Sequence, residues 1–264
     1  MIEQVIEHPI AGLSQNSDRK CQHMEEIDWV EGEVTLSVAG IPLRLKLTVP
    51  SNPVKPQVML PLFRQMANAF TDMGTDLIEK EHKHVSCKKG CGACCRQPVP
   101  LAELEVYHIA AMVDSLPEPR RTEIRTRFKD AVTHFQNMGW FARLEECEEE
   151  DALKDVVFTY FLQGVPCPFL EDEACSIHDD RPIACREYLV TSPKENCSSK
   201  DRATVNQVPL PINASDGVRH VGRTDKLSKR NFVPFIRALE WAELFPENFN
   251  KKTGEEWLAE FFSA

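Results

Sequence analysis

The sequence predicts a mainly α-helical fold with a small N-terminal β-hairpin and an irregular, cysteine-rich core. Three observations support this class. Apolar and polar residues alternate between Val34 and Val49, apolar residues recur at helical spacing over much of the later chain, and cysteines gather in two segments near its middle. With 264 residues, the chain is long enough to bury a substantial apolar core.

The N-terminal part carries the strand pattern. The alternating apolar residues are Val34, Leu36 and Val38, followed after Ala39 and Gly40 by Leu43, Leu45, Leu47 and Val49. A period of two residues places these side chains on one face of a half-buried strand pair. We therefore predict a β-hairpin over residues 27–50.

Helical periodicity begins after Pro50, Pro53 and Pro56 have interrupted the strand pattern. We predict helices over residues 58–83, 101–116, 119–138, 150–163, 232–245 and 255–262. The inner face of the first should carry Leu60, Phe63, Met66, Phe70, Met73 and Leu77. The acidic run 145–151 should lead into the helix that begins at 150, and residues 198–230 are expected to be irregular.

These elements predict three segments. Residues 1–55 form the N-terminal β-hairpin segment, and residues 56–200 form the cysteine-cluster metal-binding domain. Residues 201–264 add a C-terminal loop and helices that pack on the same domain.

Composition and charge restrict the function. A net charge of −10 argues against a general nucleic-acid binder, which carries an excess of basic residues. No stretch approaches the roughly 18 consecutive apolar residues that a membrane span needs. Met1–Ile10 lacks the basic and apolar blocks of a secretory signal, so we expect a cytoplasmic protein. In a reducing cytosol, clustered cysteines indicate metal binding or redox chemistry rather than structural disulfides.

Eight of the ten cysteines fall into two clusters. The first cluster is Cys87, Cys91, Cys94 and Cys95, and the second is Cys167, Cys175, Cys185 and Cys197. Four sulfurs within nine residues are too close along the chain for unstrained disulfides with one another, whereas such thiolates readily converge on a metal. The other two, Cys21 and Cys147, stand alone and are interpreted as incidental thiols.

Spacing within the clusters gives further detail. Cys91 and Cys94 have the two-residue separation that lets both sulfurs bind one ion. The adjacent Cys94 and Cys95 point in different directions, which suggests two sites or a multinuclear one. Cys175, Cys185 and Cys197 are separated by nine and eleven residues, so we expect the second cluster to fold back onto the first. Other residues of the first cluster should assist: Gly90 and Gly92 by backbone freedom, and Lys88, Lys89 and Arg96 by lowering thiol pKa values.

Several polar residues near the cysteines have two interpretations. His82, His84 and His178 are within reach of a metal, but isolated histidines are more often surface residues. Arg181, Arg186 and Tyr188 either donate hydrogen bonds to thiolate sulfur or belong to a helix start that carries Cys185 inward. The residues alone leave both interpretations open.

The combined motif resembles the YkgJ-like cysteine-cluster family, a zinc- or iron-chelating domain. The resemblance covers residues 87–197 and rests on the Cys-x3-Cys-x2-Cys-Cys run, Pro-Cys-Pro-Phe-Leu at 166–170, Cys-Ser-Ile-His at 175–178 and Arg-Pro-Ile-Ala-Cys-Arg-Glu-Tyr at 181–188. It implies metal chelation by Cys87, Cys91, Cys94, Cys95, Cys167, Cys175, Cys185 and Cys197. Some relatives are labelled iron–sulfur oxidoreductases, and flagellin lysine methylases are similar around the cysteines.

Three functional hypotheses follow. The first is a cytosolic protein whose two clusters jointly hold zinc or an iron–sulfur centre. The adjacent cysteines favour iron, whereas the cysteine spacing departs from that of ferredoxins and so argues against an iron–sulfur cluster. The second is an iron–sulfur redox or group-transfer enzyme with an open metal position, whose catalytic residues the sequence does not identify. The third is an interaction module with a structural metal. It would present a basic surface to an acidic partner, formed by Arg120, Arg121, Arg125, Arg127 and Lys129. Glu123 and Asp130 lie among these residues, however, and indicate a solvated helix face.

Overall fold

The computed structural model of the chain describes residues 2–6, 27–38, 41–199, 204–227 and 230–263. The predicted mainly α fold with a small N-terminal hairpin is confirmed. The α-helices are α1 (Leu60–Lys80), α2 (Glu103–Ser115), α3 (Arg120–Asn137), α4 (Trp140–Glu146), α5 (Glu150–Leu162), α6 (Ile183–Glu187), α7 (Ala214–Val218), α8 (Ala238–Leu244) and α9 (Gly254–Phe261). The strands are β1 (Ile2–Ile6), β2 (Trp29–Val38), β3 (Ile41–Pro50), β4 (Pro100–Leu101), β5 (Leu170–Glu171), β6 (Ala174–Cys175) and β7 (Val233–Pro234).

The predicted hairpin is formed by β2 and β3, which pair antiparallel from Trp29 opposite Pro50 to Val38 opposite Ile41. Its buried face carries the second half of the alternating pattern, namely Leu43, Leu45, Leu47 and Val49. The sequence pattern did not reveal β1, which adds to the far edge of β3 in parallel and completes a sheet of order β1-β3-β2. Ala39 and Gly40, the predicted turn, lie outside the described residues.

Helix α1 supports the sheet and leads to the first cysteine cluster. Its Phe63, Met66 and Phe70 are fully enclosed. The prediction for Leu77 is wrong, because this side chain is 50% exposed and Ile78 is buried instead. His82 adopts a φ of 59°, and Lys83 N–H donates to the carbonyl of Ile78, so the helix ends in a left-handed cap.

The later helices differ from the sequence prediction in three places. The acidic run belongs partly to α4, a helix that the prediction missed and that buries Trp140, Phe141 and Leu144. The helix predicted from 232 begins as β7 and a 3₁₀ turn, and α8 starts only at Ala238. The stretch expected to be irregular contains α7, which packs against α1 and α9.

The core consists of three apolar clusters. The largest joins β3 to α1 and α9, where Phe63 and Phe261 stack with ring centroids 5.0 Å apart. A second lies among α2, α3, α8 and the chain after Cys167, where Phe128, Phe169 and Phe235 pack together. The third joins α3, α4 and α5.

The division into segments 1–55, 56–200 and 201–264 stays a prediction. Among the described helices, none has the length and apolar character needed to cross a membrane.

Candidate metal centre

One cavity of about 860 Å³ contains the side chains of both cysteine clusters. Its walls include Cys87, Cys91, Cys94, Cys95, Cys167, Cys175, Cys185 and Cys197. All nine described cysteines carry free thiols. Cys147 lies apart from these eight, in the loop after α4, and Cys21 lies outside the described residues. The two clusters, distant in sequence, therefore meet around a single space.

The first cluster occupies a turn and a short 3₁₀ helix after α1. Gly90 has a φ of 84°, a conformation that glycine adopts without a Cβ clash, and the N–H of Cys91 donates to the carbonyl of Lys88 at 3.1 Å. Cys94 and Cys95 follow in the 3₁₀ helix Ala93–Arg96. The chain thereby reverses direction tightly and brings its four thiols to one wall of the cavity.

The second cluster reaches the same cavity through four separate elements. The N–H of Cys167 donates to the carbonyl of Cys95 at 2.7 Å, which joins the two clusters directly. Cys175 ends the small β5–β6 hairpin, Cys185 lies in α6, and Cys197 lies in a 3₁₀ helix that packs against Ala93–Arg96. The predicted return of the second cluster onto the first is therefore what the structure shows.

An ion pair holds the β5–β6 hairpin against the first cluster. Arg96 at the end of the 3₁₀ helix binds Glu173 in the hairpin turn, with Nη2–Oε1 at 2.6 Å and Nη1–Oε2 at 3.0 Å. Gly92 permits this approach, because a Cβ there would lie 2.7 Å from both Glu173 Oε2 and Leu170 Cδ1. The φ of Gly92 is −92°, so its role is to leave space and not, as predicted, to supply an unusual backbone angle.

A buried carboxylate positions the helix that carries Cys185. Glu105, only 3% exposed, accepts hydrogen bonds from the N–H of Ala102 at 3.0 Å and from the N–H of Ile183 at 2.8 Å. Ile183 is the first residue of α6. The first N–H groups of a helix have no intrahelical partner, so Glu105 satisfies one of them and anchors α6 beside the cavity.

Burial makes several of the cavity thiols weakly acidic. Burial raises the pKa of Cys167 to about 12, and it raises the pKa values of Cys87 and Cys175. A hydrogen bond with Cys95, followed by burial, raises the pKa of Cys94. The pKa of Cys185 rises well above its usual range through burial, and the neighbouring cluster thiols raise it further. Without a cation, these groups are therefore protonated at neutral pH.

The sequence predicted that Lys88, Lys89 and Arg96 would oppose these shifts, whereas the structure points to Arg181. Arg181 lines the cavity, and its charge acts to lower the pKa values of Cys87, Cys94 and Cys175. Arg96, expected to serve this purpose, is paired with Glu173 instead. The pKa values of all three thiols are nevertheless raised. At Cys87 and Cys175, burial outweighs the charge of Arg181. At Cys94, the hydrogen bond with Cys95 and burial together outweigh it.

The three histidines near the cysteines have different surroundings. His178 lines the cavity, and its Nε2 lies 2.9 Å from Nη1 of Arg181. His82 and His84 are exposed, and neither is among the residues of the cavity wall. His82 instead caps α1.

Donor chemistry and donor geometry give different answers about a metal. Sulfur is the preferred donor for zinc, for Cu(I) and for iron–sulfur clusters, so eight thiols on one cavity fit such a group. Across the part of the chain that the structure describes, however, no group of three or more His, Cys, Asp or Glu side chains is arranged to hold an ion. The centre therefore matches a thiophilic metal in composition, while its thiols lie around the cavity and not at one point.

Sequence reasoning missed the residues that position this centre. Glu105 was interpreted as a charge near the positive end of a helix, and Glu173 was not considered. The one available signal for Glu105 was its place three residues after the helix N-terminus, where a glutamate can reach back to the first N–H groups. No local signal links Glu173 to Arg96, because their pairing depends on the folded hairpin.

Comparison with known proteins gives one family match. Residues 86–207 match the family model CxxCxxCC, described as a putative zinc- or iron-chelating domain. No match was found among curated proteins, and none among solved structures. The matched range contains all eight cavity cysteines and ends before α7. Residues 86–207, slightly less than half of the chain, are therefore similar to the CxxCxxCC family.

Proposed function

We propose that this protein binds zinc or iron through the cysteine thiolates that surround the cavity. The proposed ligands are Cys87, Cys91, Cys94, Cys95, Cys167, Cys175, Cys185 and Cys197. The observation that carries the proposal is the convergence of these eight thiols, from two distant segments, on one cavity. A structural role for cysteine as a small apolar residue requires no such convergence.

Four of the cysteines form the inner part of the proposed centre. Cys94 lies close enough to Cys167, Cys175 and Cys185 for its charge to influence the ionisation of all three. Four thiolates are the number that a closed zinc site or a four-cysteine iron–sulfur cluster requires. These residues come from both clusters, so loss of either segment would remove the inner set.

Metal binding in this proposal requires two local changes. The thiols must lose their protons, since only thiolates are strong ligands, and a bound cation stabilises the charge that burial otherwise disfavours. The side chains must also turn toward the ion, because the described residues include no ready-made group of three ligands. Cys94, Cys95, Cys175 and Cys197 lie in 3₁₀ helices and the short β5–β6 hairpin, whereas Cys185 lies in α6.

A second candidate function is an iron–sulfur redox or group-transfer enzyme. The size of the cavity favours it, because about 860 Å³ lies in the range of small-molecule sites, whereas a closed tetrahedral ion fills the space between its own ligands. An interaction module has less support, because arginines of the basic helix face are paired within the protein. Arg120 and Arg127 bind Glu171, Arg121 binds Glu118, and Arg125 binds Asp114 and Glu243.

We also propose a cytoplasmic location. It is supported by the nine free thiols, which a reducing compartment maintains.

Elemental analysis with an ultraviolet–visible spectrum tests the proposal on full-length protein purified without oxygen. Colourless protein with stoichiometric zinc supports a closed zinc centre. Iron with acid-labile sulfide and broad visible absorbance supports an iron–sulfur centre and moves the enzyme candidate forward. Protein that contains neither metal, and does not take up zinc or iron when each is added, contradicts the proposed function.

A further inference from the structure

The cavity has a second chemical character besides its thiols. Its wall includes the cationic side chains Lys88, Lys89 and Arg181 and the apolar side chains Val99, Ile177 and Phe235. A space of about 860 Å³ with apolar walls and a few polar groups is typical of a site for a small molecule.

Arg181 has no carboxylate partner among the described residues. Its side chain makes one hydrogen bond within them, between Nη1 and Nε2 of His178, and its Nε is enclosed without an acceptor. Neighbouring arginines are different: Arg64 binds Asp180 at 2.9 Å, and Arg96 binds Glu173. A guanidinium group without a carboxylate beside a cavity is suited to bind an oxyanion.

Other groups of the cavity wall also lack a hydrogen-bond or ion-pair partner among the described residues. Tyr188 Oη is enclosed and has no hydrogen-bond partner in the part of the chain that the structure describes. Lys88 and Lys89 are exposed at the cavity wall, and neither forms an ion pair with a described residue. Two carboxylates lie at the wall: Glu173 is bound to Arg96, and Asp179 is exposed beside His178. Apart from the cysteines, the charge of the cavity wall is therefore positive although the whole chain is acidic.

We propose that the cavity binds a small organic carboxylate, with Arg181 holding the carboxylate group and Val99, Ile177 and Phe235 contacting its apolar part. This inference rests on the proposed function, because it places the ligand beside the cysteines that hold the metal. Lys88 and Lys89 attract the anion from solvent, and Tyr188 supplies a further donor after rotation of its hydroxyl group.

The competing explanation assigns Arg181 to the thiolates, as a donor that offsets their negative charge. The two explanations differ in what Arg181 removal affects. If Arg181 serves an external carboxylate, its replacement weakens anion binding and leaves metal content unchanged. If it serves the thiolates alone, its replacement changes metal retention, and the wild-type protein shows no preference for an anion.

Isothermal titration of the full-length protein as purified, at low ionic strength, tests the proposal with phenylacetate and its uncharged counterpart phenylacetamide. We expect phenylacetate to bind about tenfold more tightly, and Arg181→Gln to remove this preference, since a charge-assisted hydrogen bond supplies about that factor. Lys88→Gln should weaken phenylacetate binding roughly twofold to fivefold and leave the fold intact, because the side chain is exposed. Arg143→Gln, an exposed substitution on α4, is the control and should have no effect.

Metal content measured on the same samples separates the two proposals. Equal affinity for the two probes, no binding of phenylacetate, or an unchanged preference in Arg181→Gln would overturn the anion site. Loss of metal from Arg181→Gln would overturn it as well, because the arginine would then serve the thiolates. Wild-type protein that contains no metal and takes up neither zinc nor iron, but still binds phenylacetate through Arg181, would contradict only the metal function.

Discussion

Arg96 and Glu173 form a bidentate ion pair that joins the two cysteine clusters. Arg96 follows Cys95 directly, and Glu173 lies two residues before Cys175. The pair therefore fixes the distance between two walls of the cavity. The side-chain hydrogen bond from Arg96 lowers the pKa of Glu173 below its ordinary value, so the carboxylate is charged at neutral pH.

Glu173→Gln should loosen this connection. Glutamine cannot make the charged bidentate contact, but Glu173 is exposed and solvent screens the pair. We expect a small fall in melting temperature, about 1–2 °C, and weaker metal retention against a chelator. A thermal melt and a timed chelation assay on metal-loaded protein measure the two effects. Arg96→Gln and the double variant complete a mutant cycle, and fully additive effects would show that the pair makes no contribution.

Gly90 and Gly92 should respond differently to the same substitutions. Gly90→Ala forces an L-residue into a φ of 84° and should cost about 1 kcal/mol of stability, whereas Gly90→Asn should cost less because asparagine tolerates this conformation. Gly92→Asn should be more harmful than Gly92→Ala, because the larger side chain collides with Glu173 and Leu170. Urea unfolding of the four variants measures this. The same ranking at both positions would contradict the assigned roles.

Glu105→Ala should be severe. It leaves the N–H groups of Ala102 and Ile183 without their buried acceptor and opens a cavity, and we expect a loss of about 3 kcal/mol. Metal content should also fall, because α6 carries Cys185. Glu105→Gln retains one acceptor oxygen and should lose about 1 kcal/mol. Urea unfolding and elemental analysis measure both effects, and a Glu105→Ala variant with normal stability and metal content would refute the positioning role.

Glu171 should make stability depend on pH. Hydrogen bonds from Arg120, and secondarily from Arg127, lower its pKa below the ordinary 4.5. Its contribution is therefore present above the unfolded-state pKa and is lost as pH falls through the lower folded-state value. Glu171→Gln should lose about 1 kcal/mol at pH 7 after allowance for solvent screening, and the difference from wild type should vanish in acid. Urea unfolding over the pH range tests this, with the exposed Glu195→Gln as control.

Cysteine substitutions test the ligand set itself. Cys94→Ala and Cys185→Ala should lose metal and much local stability, since closed thiolate sites contribute on the order of 10 kcal/mol of binding free energy. Cys147→Ala should do neither, because Cys147 lies outside the thiol-lined cavity. Elemental analysis and melting temperature are the measurements. Full metal content in both cavity variants would show that the ligand assignment is wrong.

Local pattern accounts for most of the elements that the sequence predicted correctly. Alternation between Val34 and Val49 located the β2–β3 hairpin, and apolar spacing located α1 and α3. Patterns failed where neighbours in space decide the outcome. Leu77 fits the period of α1 but is 50% exposed, whereas the next residue, Ile78, is buried. The charged sequence of α4 concealed Trp140 and Leu144.

The cysteine spacing indicated the chemical class of the site, because four thiols within nine residues are too close for unstrained disulfides with one another and are suited to bind a thiophilic metal. How the clusters meet depends on long-range contacts, since the hydrogen bond from Cys167 to Cys95, the Arg96–Glu173 pair and the Glu105–Ile183 contact join residues that are far apart in sequence. Within the described parts of the chain, Arg181 also lies beside the cavity without a carboxylate partner. Such long-range contacts depend on the packing of whole elements, which local residue patterns do not encode.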